Sequence, residues 1–158
     1  MKHWQRFAGT LVALATVAAW MLFSDLDQKP DNDDQQQRSA MFSGILDDLS
    51  KSWGMTELQS MMQPRALAAD EAVYRDMLES ASALGRFVGC ERLQLGDFAS
   101  SALDQPPFNR LDVDRVYQGN GECAFEKGSA YVLVGYLPGA SSRPLVLLEV
   151  DRVRLYDR

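Results

Sequence analysis

The side chains of this sequence that could transfer protons are carboxylates and tyrosines in its C-terminal half. Asp97 and Glu122 are the candidate general bases. The candidate hydroxyl donors are Tyr117, Tyr131 and Tyr136. A carboxylate and a tyrosine that share an apolar cavity can abstract and return a proton. The spacing of these five residues selects no pair among them, and tyrosines on strands usually pack at the border of a core.

Other kinds of catalytic or cofactor site lack their residues. The single histidine, His3, precedes an apolar N-terminal run, so a serine or cysteine nucleophile has no usable base. Zinc would need clusters of His, Cys and carboxylate ligands. Gly119 and Gly121 precede no helix, so we interpret them as a bulge or turn rather than a phosphate loop. We interpret the methionines between residues 41 and 77 as packing residues. No cofactor and no metal are expected.

The charge distribution argues against nucleic-acid binding. The chain has 158 residues, enough for one folded domain, and a formal net charge of -6. Two of its 16 basic residues, Lys2 and Arg6, precede the apolar run, whereas all 22 acidic residues follow it, which leaves about -8 for the remainder. Nucleic-acid binding needs a basic patch, and the sequence shows none.

The first 23 residues resemble a membrane anchor. Residues 7–23 form an uncharged run of 17 residues, which is just long enough to span a bilayer core. Basic residues precede it and aspartates follow it, so the positive-inside rule places the N-terminus in the cytoplasm. We predict an uncleaved signal-anchor in a bacterial inner membrane, with the rest of the chain in the periplasm. The apolar face of this segment consists of Phe7, Leu11, Leu14, Val17, Trp20 and Phe23.

A cleaved signal peptide is the alternative. Its small-x-small cleavage site could be Ala13-Leu14-Ala15, but this tripeptide falls in the middle of the run and leaves too short an apolar stretch before it. No cysteine follows the run to accept a lipid. The next segment, residues 24–38, reads SDLDQKPDNDDQQQR and has almost nothing to bury, so we predict a disordered acidic linker.

A helix is predicted directly after this linker. Ser39 suits its N-cap and Gly54 its end. Apolar residues recur there at the spacing of one helical face, namely Phe42, Ile45, Leu46, Leu49 and Trp53.

Two further helices are predicted before residue 86. Thr56 and Gln59 match a capping box that opens a short helix, which Pro64 must end. The third helix can close at Gly85. Its predicted inner face carries Val73, Met77, Leu78, Ala81 and Leu84.

Four strands follow the helices. Their predicted ranges are residues 87–98, 116–125, 129–137 and 145–155. Lys127-Gly128 is expected to form the turn between strands two and three. Apolar residues change parity within strand four, which predicts a bulge near Asp151-Arg152. Three helices followed by four strands indicate an α+β domain over residues 39–158, with an antiparallel sheet.

The two cysteines, Cys90 and Cys123, are predicted to form a disulfide. If they face each other on antiparallel strands, the centre of their hairpin falls between Pro106 and Pro107, in the most turn-like segment available. An oxidising compartment favours the bond, which would stabilise by about 3 to 4 kcal/mol in the chain-entropy model. The alternatives are two separate buried thiols, or a catalytic cysteine that lacks a partner base.

Two segments resemble a known family. LDDLSKSWGMTELQSMMQPRAL (residues 46–67) is similar to the first helices of small exported bacterial proteins with a nuclear transport factor 2-like fold. GECAFEKGSAYVLVGYL (residues 121–137) is similar to their strand-turn-strand core. The resemblance implies a half-cone, in which a curved sheet wraps against a helix and leaves a cavity. Members include isomerases, dehydratases, transport adaptors and membrane-anchored assembly proteins, so the fold does not give the function.

Three functions are compatible with these features. The favoured interpretation is a membrane-anchored interaction module that binds a protein partner or itself, with no nucleic acid. An exposed edge strand over residues 145–155 could then support dimerisation. The second is a cavity that binds a small apolar ligand or a peptide. The third, and least favoured, is an isomerase-like enzyme, which would need a cavity carboxylate with a raised pKa.

Overall fold

The computed structural model describes residues 32–140 and 142–157. The predicted anchor, residues 1–23, and residues 24–31 of the predicted linker lie outside the described residues. The described residues form five α-helices and a four-stranded antiparallel sheet, which confirms the α+β class. The helices are α1 Asn32–Leu49, α2 Met55–Met61, α3 Pro64–Ala69, α4 Glu71–Ala81 and α5 Ser100–Leu103. Among these described helices, none is both long and apolar enough to cross a membrane.

The sheet is a meander in the order β1-β2-β3-β4. Its strands are β1 Phe87–Asp97, β2 Tyr117–Phe125, β3 Gly128–Tyr136 and β4 Leu145–Leu155, so all four predicted strands are confirmed within one residue at each end. The turn between β2 and β3 is Glu126-Lys127, one residue earlier than predicted, because Gly128 already pairs with Phe125. Gly128 cannot carry a side chain, since a Cβ there would overlap the carbonyl oxygen of Arg154.

Both outer strands contain a bulge. The predicted bulge of β4 is confirmed: one extra residue lies between Asp151 and Arg154, where Arg152 has φ 53°. An unpredicted bulge lies between Glu91 and Gln94 of β1, where Arg92 also has φ 53°. Bulges bend a strand and increase its twist, so each outer strand changes direction at its own bulge.

The predicted disulfide and its register are confirmed. Cys90 is the cross-strand partner of Cys123, and their sulfur atoms are bonded. Pro106 and Pro107 lie in a turn at the middle of the connection between β1 and β2, as predicted, and this connection, residues 98–116, also contains α5 and a 3-10 turn, Phe108–Arg110. This connection folds onto the sheet because Phe108 is fully buried against a small apolar cluster of its own.

Helix α1 begins at Asn32 rather than after Ser39, so residues 32–38 are helical and this part of the predicted disordered linker is wrong. Arg38 explains the difference, since it is 5% exposed and pairs with Asp34 one turn earlier. A polar helix that is held by a buried ion pair carries no apolar periodicity. The predicted apolar face of α1 is confirmed for the residues that the helix contains, since Phe42, Ile45, Leu46 and Leu49 are buried. The predicted end at Gly54 is wrong, because α1 ends at Leu49, and Trp53 is buried from the loop that follows, where its φ is 52°.

The short helix α2 differs from the prediction at both ends. It begins at Met55 with Gly54 at the N-cap and no side-chain cap, so the capping box at Thr56 is wrong. It ends at Met61, before Pro64 as predicted. Pro64 then opens the unpredicted helix α3, where a missing backbone N–H costs nothing in the first turn.

Most of the predicted inner face of the third helix is confirmed, because Leu78, Ala81 and Leu84 are buried and Met77 packs against the core. The start of this helix, α4, differs from the prediction. Tyr74 is 5% exposed, whereas Val73, predicted to be buried, is 64% exposed. Tyr74 aligns with the buried Leu78 and Ala81 at helical spacing, and its hydroxyl contacts the backbone of Leu148 on β4. The predicted closure at Gly85 is confirmed, with φ 77° after a 3-10 turn.

Candidate functional site

Helix α1 runs along β1, and contacts near the two ends of this helix identify the two ends of the sheet. Near its start, Arg38 binds Asp97, the last residue of β1. At its far end, the hydroxyl of Ser50 accepts a hydrogen bond from the backbone N–H of Phe87, the first residue of β1. We call these the Asp97 end and the Phe87 end of the sheet. The described chain therefore begins beside the Asp97 end.

Three of the five predicted proton-transfer residues meet at the Asp97 end. They belong to a group that we call the Arg38 cluster, which consists of Asp34, Arg38, Asp97, Arg115, Tyr117 and Tyr136. The Arg38 guanidinium lies 2.8 Å from a carboxylate oxygen of Asp34 and 2.6 Å from one of Asp97. It also covers the ring of Tyr117, with Cζ 3.7 Å from the ring centre.

The contacts of the Arg38 cluster stabilise the fold and engage its candidate base, Asp97. One carboxylate oxygen of Asp97 accepts from Arg38 and the other lies 2.6 Å from Arg115, so both are engaged by guanidinium groups. The hydroxyl of Tyr136 donates to the backbone carbonyl of Arg38 at 3.2 Å, and burial raises the pKa of Tyr136 to about 12. Burial acts to lower the pKa of Arg38, but its hydrogen bonds to the two aspartates raise it overall.

The other two predicted residues lie on the opposite face of the sheet. Glu122 is exposed, and its cross-strand partner Tyr131 is half-buried. The Tyr131 hydroxyl lies 2.9 Å from the side-chain oxygen of Asn120, and the guanidinium carbon of Arg152 lies 5.0 Å from the Tyr131 ring centre. Burial raises the pKa of Tyr131. The sheet thus separates the five predicted residues into two groups on its two faces.

Glu149 is the carboxylate that the sequence reasoning missed. It lies on the same face as Tyr131, because it is the cross-strand partner of Leu133, two residues further along β3. Burial, and then the nearby charge of Asp151, raise the pKa of Glu149. The alternation of apolar and polar residues in β4 predicts that Glu149 lies on the polar face of the sheet. The structure shows that this part of the face is partly covered.

A shallow groove lies where three connections meet near the Asp97 end. Its volume is about 390 Å³, within the range of small-ligand sites. Its walls come from the α2–α3 junction, the β1–β2 connection and the end of β3. The lining residues are Gln63, Pro64, Arg65, Leu111, Asp112, Val113 and Leu137.

The Phe87 end carries exposed apolar side chains. Val88 on β1 is 67% exposed, Leu155 on β4 is 55% exposed and Tyr156 is 54% exposed. Two cations lie beside them, Lys127 in the β2–β3 turn and Arg154 on β4, and neither forms an ion pair with any described residue. Exposed carboxylates also lie there, Glu126 in the same turn and Asp157 after Tyr156, so this end combines exposed apolar side chains with charges of both signs.

The described part of the chain contains no group of three His, Cys, Asp or Glu side chains that could hold a metal ion. Comparison with known protein families, with curated proteins and with solved structures finds no match for this chain.

Proposed function

We propose that this protein is a single-pass, membrane-anchored module whose extracytoplasmic α+β domain binds a protein partner. The observation that carries the proposal is the separation of the two ends of the sheet. The chain leads to the predicted anchor from the Asp97 end, where the Arg38 cluster holds α1 to the sheet. The exposed apolar side chains lie at the Phe87 end.

The length of the tether supports this arrangement. Only residues 24–31 separate the predicted anchor from the start of α1. A flexible coil of this length spans about 16 Å on average. Helix α1 adds about 27 Å along the domain. The Phe87 end would then point away from the bilayer, into the aqueous compartment where a partner can reach it.

We also propose the half-cone architecture that the family resemblance implies. The two bulges support it, because each of them bends one of the two outer strands. The full burial of Phe42 supports it too, since its ring packs where a Cβ on Gly119 of β2 would lie. This close contact between Phe42 of α1 and Gly119 of β2 is consistent with a sheet that curves around α1.

A topology and cross-linking experiment tests the proposed function. A reporter fused after Arg158 should be active only outside the cytoplasm. Chemical cross-linking of the full-length protein in cells should yield an adduct with a second protein at near-equal amount, and deletion of residues 32–158 should abolish it. A reporter active in the cytoplasm, or recovery of no second protein, would contradict the proposal.

A small apolar ligand or peptide in the groove is a second candidate function. The apolar walls Leu111, Val113 and Leu137 favour an apolar group, and Arg65 and Asp112 could orient its polar end. Native mass spectrometry of the full-length protein released from membranes would show a bound small molecule. Substituting Val113→Asp should remove it. If native mass spectrometry shows the released protein without any bound small molecule, the result argues against this candidate.

A further inference from the structure

We propose that the Cys90–Cys123 bond is a site of thiol–disulfide exchange that controls part of the sheet edge. A dithiol reduces the bond by attack at Cys90, and residues 88–92 of β1 then leave the sheet while the rest of the domain stays folded. We call residues 88–92 the switch segment. The inference goes beyond the proposed function and does not depend on it, because it concerns the domain itself.

The pairing of the switch segment with β2 is interrupted on both sides. Gly89, Cys90 and Glu91 pair with β2 in regular register. The register shifts before them, between Phe87 and Gly89, and after them, between Glu91 and Gln94. Because β1 is an outer strand, the switch segment has no second neighbouring strand. The disulfide therefore joins β1 to β2 at the middle of a short stretch of ladder.

The side chains of the switch segment contribute little to the core. Among the residues that the structure describes, Cys90 is the one member of the segment that packs against the core cluster. The other members are exposed or, in one case, a glycine, namely Val88, Gly89, Glu91 and Arg92. The flanking residues Phe87 and Leu93 do pack against the core, so they mark the two ends of the segment. Little apolar surface therefore meets water when the segment leaves the sheet.

Like charges face each other within the same stretch of ladder. Glu91 is the cross-strand partner of Glu122, and both are exposed. Neither of them forms an ion pair with any described residue. Carboxylates directly opposite each other destabilise a strand pair. Once the covalent link is broken, this repulsion favours separation of the switch segment from β2.

Both ends of β1 have attachments that do not involve the disulfide. At its start, the backbone N–H of Phe87 donates to the hydroxyl of Ser50 at 2.9 Å. At its end, Asp97 is bound by Arg38 and Arg115. Reduction is therefore expected to open a loop between two held points, which is a local transition rather than unfolding of the domain.

The exchange begins at Cys90 because this cysteine is partly exposed on an outer strand, whereas Cys123 is fully buried. A thiolate of the dithiol attacks the Cys90 sulfur, and Cys123 leaves as a thiolate that takes up a proton. The second thiol of the dithiol then displaces Cys90, which is protonated in turn, and the reductant becomes a disulfide. The sulfur of Cys123 lies 3.6 Å from the carbonyl oxygen of Gly121, which is placed to accept from the new thiol.

Hydrogen exchange of the full-length protein in detergent, with and without dithiothreitol, tests the switch. Dithiothreitol is a dithiol, so it supplies the proposed chemistry. We expect the protected amides among residues 89–91 to lose protection by about a hundredfold on reduction, because the cross-link that holds them is lost. Residues 94–97 are the internal control in the same strand, and their protection should change by less than about threefold.

A monothiol tests the site of attack in the oxidised wild-type protein. Glutathione stops the reaction at the mixed disulfide, and alkylation of the released thiol prevents the reverse step. Mass spectrometry should find glutathione on Cys90 and the alkyl group on Cys123, in an excess of about tenfold over the opposite arrangement. Equal amounts, or an excess of glutathione on Cys123, would contradict attack at Cys90.

A charge variant tests the contribution of the facing carboxylates. In the reduced protein, Glu122→Gln should raise the protection of residues 89–91 about threefold, because the repulsion with Glu91 is removed. The matched control is Glu79→Gln, at an exposed glutamate on α4, which should leave this protection unchanged. The same change in both variants would remove the role of the Glu91–Glu122 pair.

Three further results would overturn the switch. A bond that dithiothreitol reduces only in denaturant would exclude exchange in the folded domain. Loss of protection throughout the sheet would make the bond a purely structural link. Unchanged protection over residues 89–91 after complete reduction would mean that the segment is held without the bond. None of these results concerns partner binding, so the proposed function is decided by its own experiment.

Discussion

The Asp97 end and the Phe87 end of the sheet each carry an arginine, and these two arginines differ in burial and in pairing. At the Asp97 end, Arg38 is buried, and two carboxylates and a tyrosine ring surround its guanidinium. At the Phe87 end, Arg154 is exposed beside exposed apolar side chains and has no ion-pair partner among the described residues. A buried charge must be paired within the fold, whereas an exposed one stays available to a partner. The Arg38 cluster thus stabilises the domain, and the exposed side chains of the Phe87 end are the ones that we propose for binding.

The Cys90–Cys123 bond is expected to have the largest effect on stability. Replacing both cysteines by alanine should lower the free energy of unfolding by about 3 to 4 kcal/mol, because the closed loop restricts the unfolded chain. Urea denaturation of the purified protein measures this loss. Hydrogen exchange should show greater loss of protection at Phe87 than at Asp97, where Arg38 still holds β1. Equal loss at both residues would remove the distinction between the two ends.

Arg38→Met tests whether the Asp97 end is held by its ion pairs. We expect a loss of about 2 to 3 kcal/mol in the free energy of unfolding, because the variant leaves two carboxylates without their cation. This is below the range for fully buried pairs, since Asp34 and Asp97 are about a third exposed. The control is Arg86→Met near the Phe87 end, whose 3.8 Å contact with Asp47 is exposed and should matter by less than about 0.5 kcal/mol. Similar losses in the two variants would refute the comparison.

Two tyrosine variants compare how much a single hydroxyl group contributes to stability at each end of the sheet. Tyr136→Phe should cost about 1 kcal/mol, because the buried hydroxyl donates to the carbonyl of Arg38. Tyr156→Phe should cost close to nothing, since its ring is 54% exposed. Thermal unfolding of both variants under one condition measures the difference. A larger effect at Tyr156 would reverse the assignment of roles.

Glu149→Gln should have the smallest effect and the opposite sign. The pKa of Glu149 is raised in the folded state, so the folded protein binds this proton more tightly than the unfolded chain does. Its contribution is favourable at low pH and is lost as pH rises through the folded pKa. The variant should therefore be more stable than the wild type at pH 7, by roughly a few tenths of a kcal/mol, and equal to it below about pH 4. A variant that is less stable at pH 7 would show that ionised Glu149 has a favourable partner.

The strands and the cysteine pairing could be predicted because their signals are local or nearly so. Alternation in β4 changes parity at Asp151-Arg152, and a bulge is the only way to keep one face buried through that change. The cysteine register follows from antiparallel pairing, and the same register puts Pro106 and Pro107 at the middle of the connection between the two strands. The apolar face of α1 is a repeat within one helix, so the pattern shows it directly.

The grouping of the candidate residues could not be predicted, because it depends on contacts between distant parts of the chain. Arg38 and Asp97 are 59 residues apart, and the sequence of residues 32–38 is that of a solvated linker. Tyr117 and Tyr136 meet Arg38, whereas Tyr131 turns to the other face, because alternate strand residues point in opposite directions. Val73 and Tyr74 exchange their expected roles for a similar reason, since helical periodicity alone does not say which of two neighbouring faces meets the sheet.

The amino-acid sequence alone is enough for the fold class, the four strands, the disulfide and the main apolar face, since periodicity and pairing rules act over short distances. The tertiary structure decided which polar groups are satisfied and which are left exposed. It converted Asp97, Tyr117 and Tyr136 from candidate catalytic residues into contacts of a buried arginine. It also brought the two ends of the outer strands together beside one turn. Burial and the pairing of charges depend on the whole packed chain, and no segment contains that information by itself.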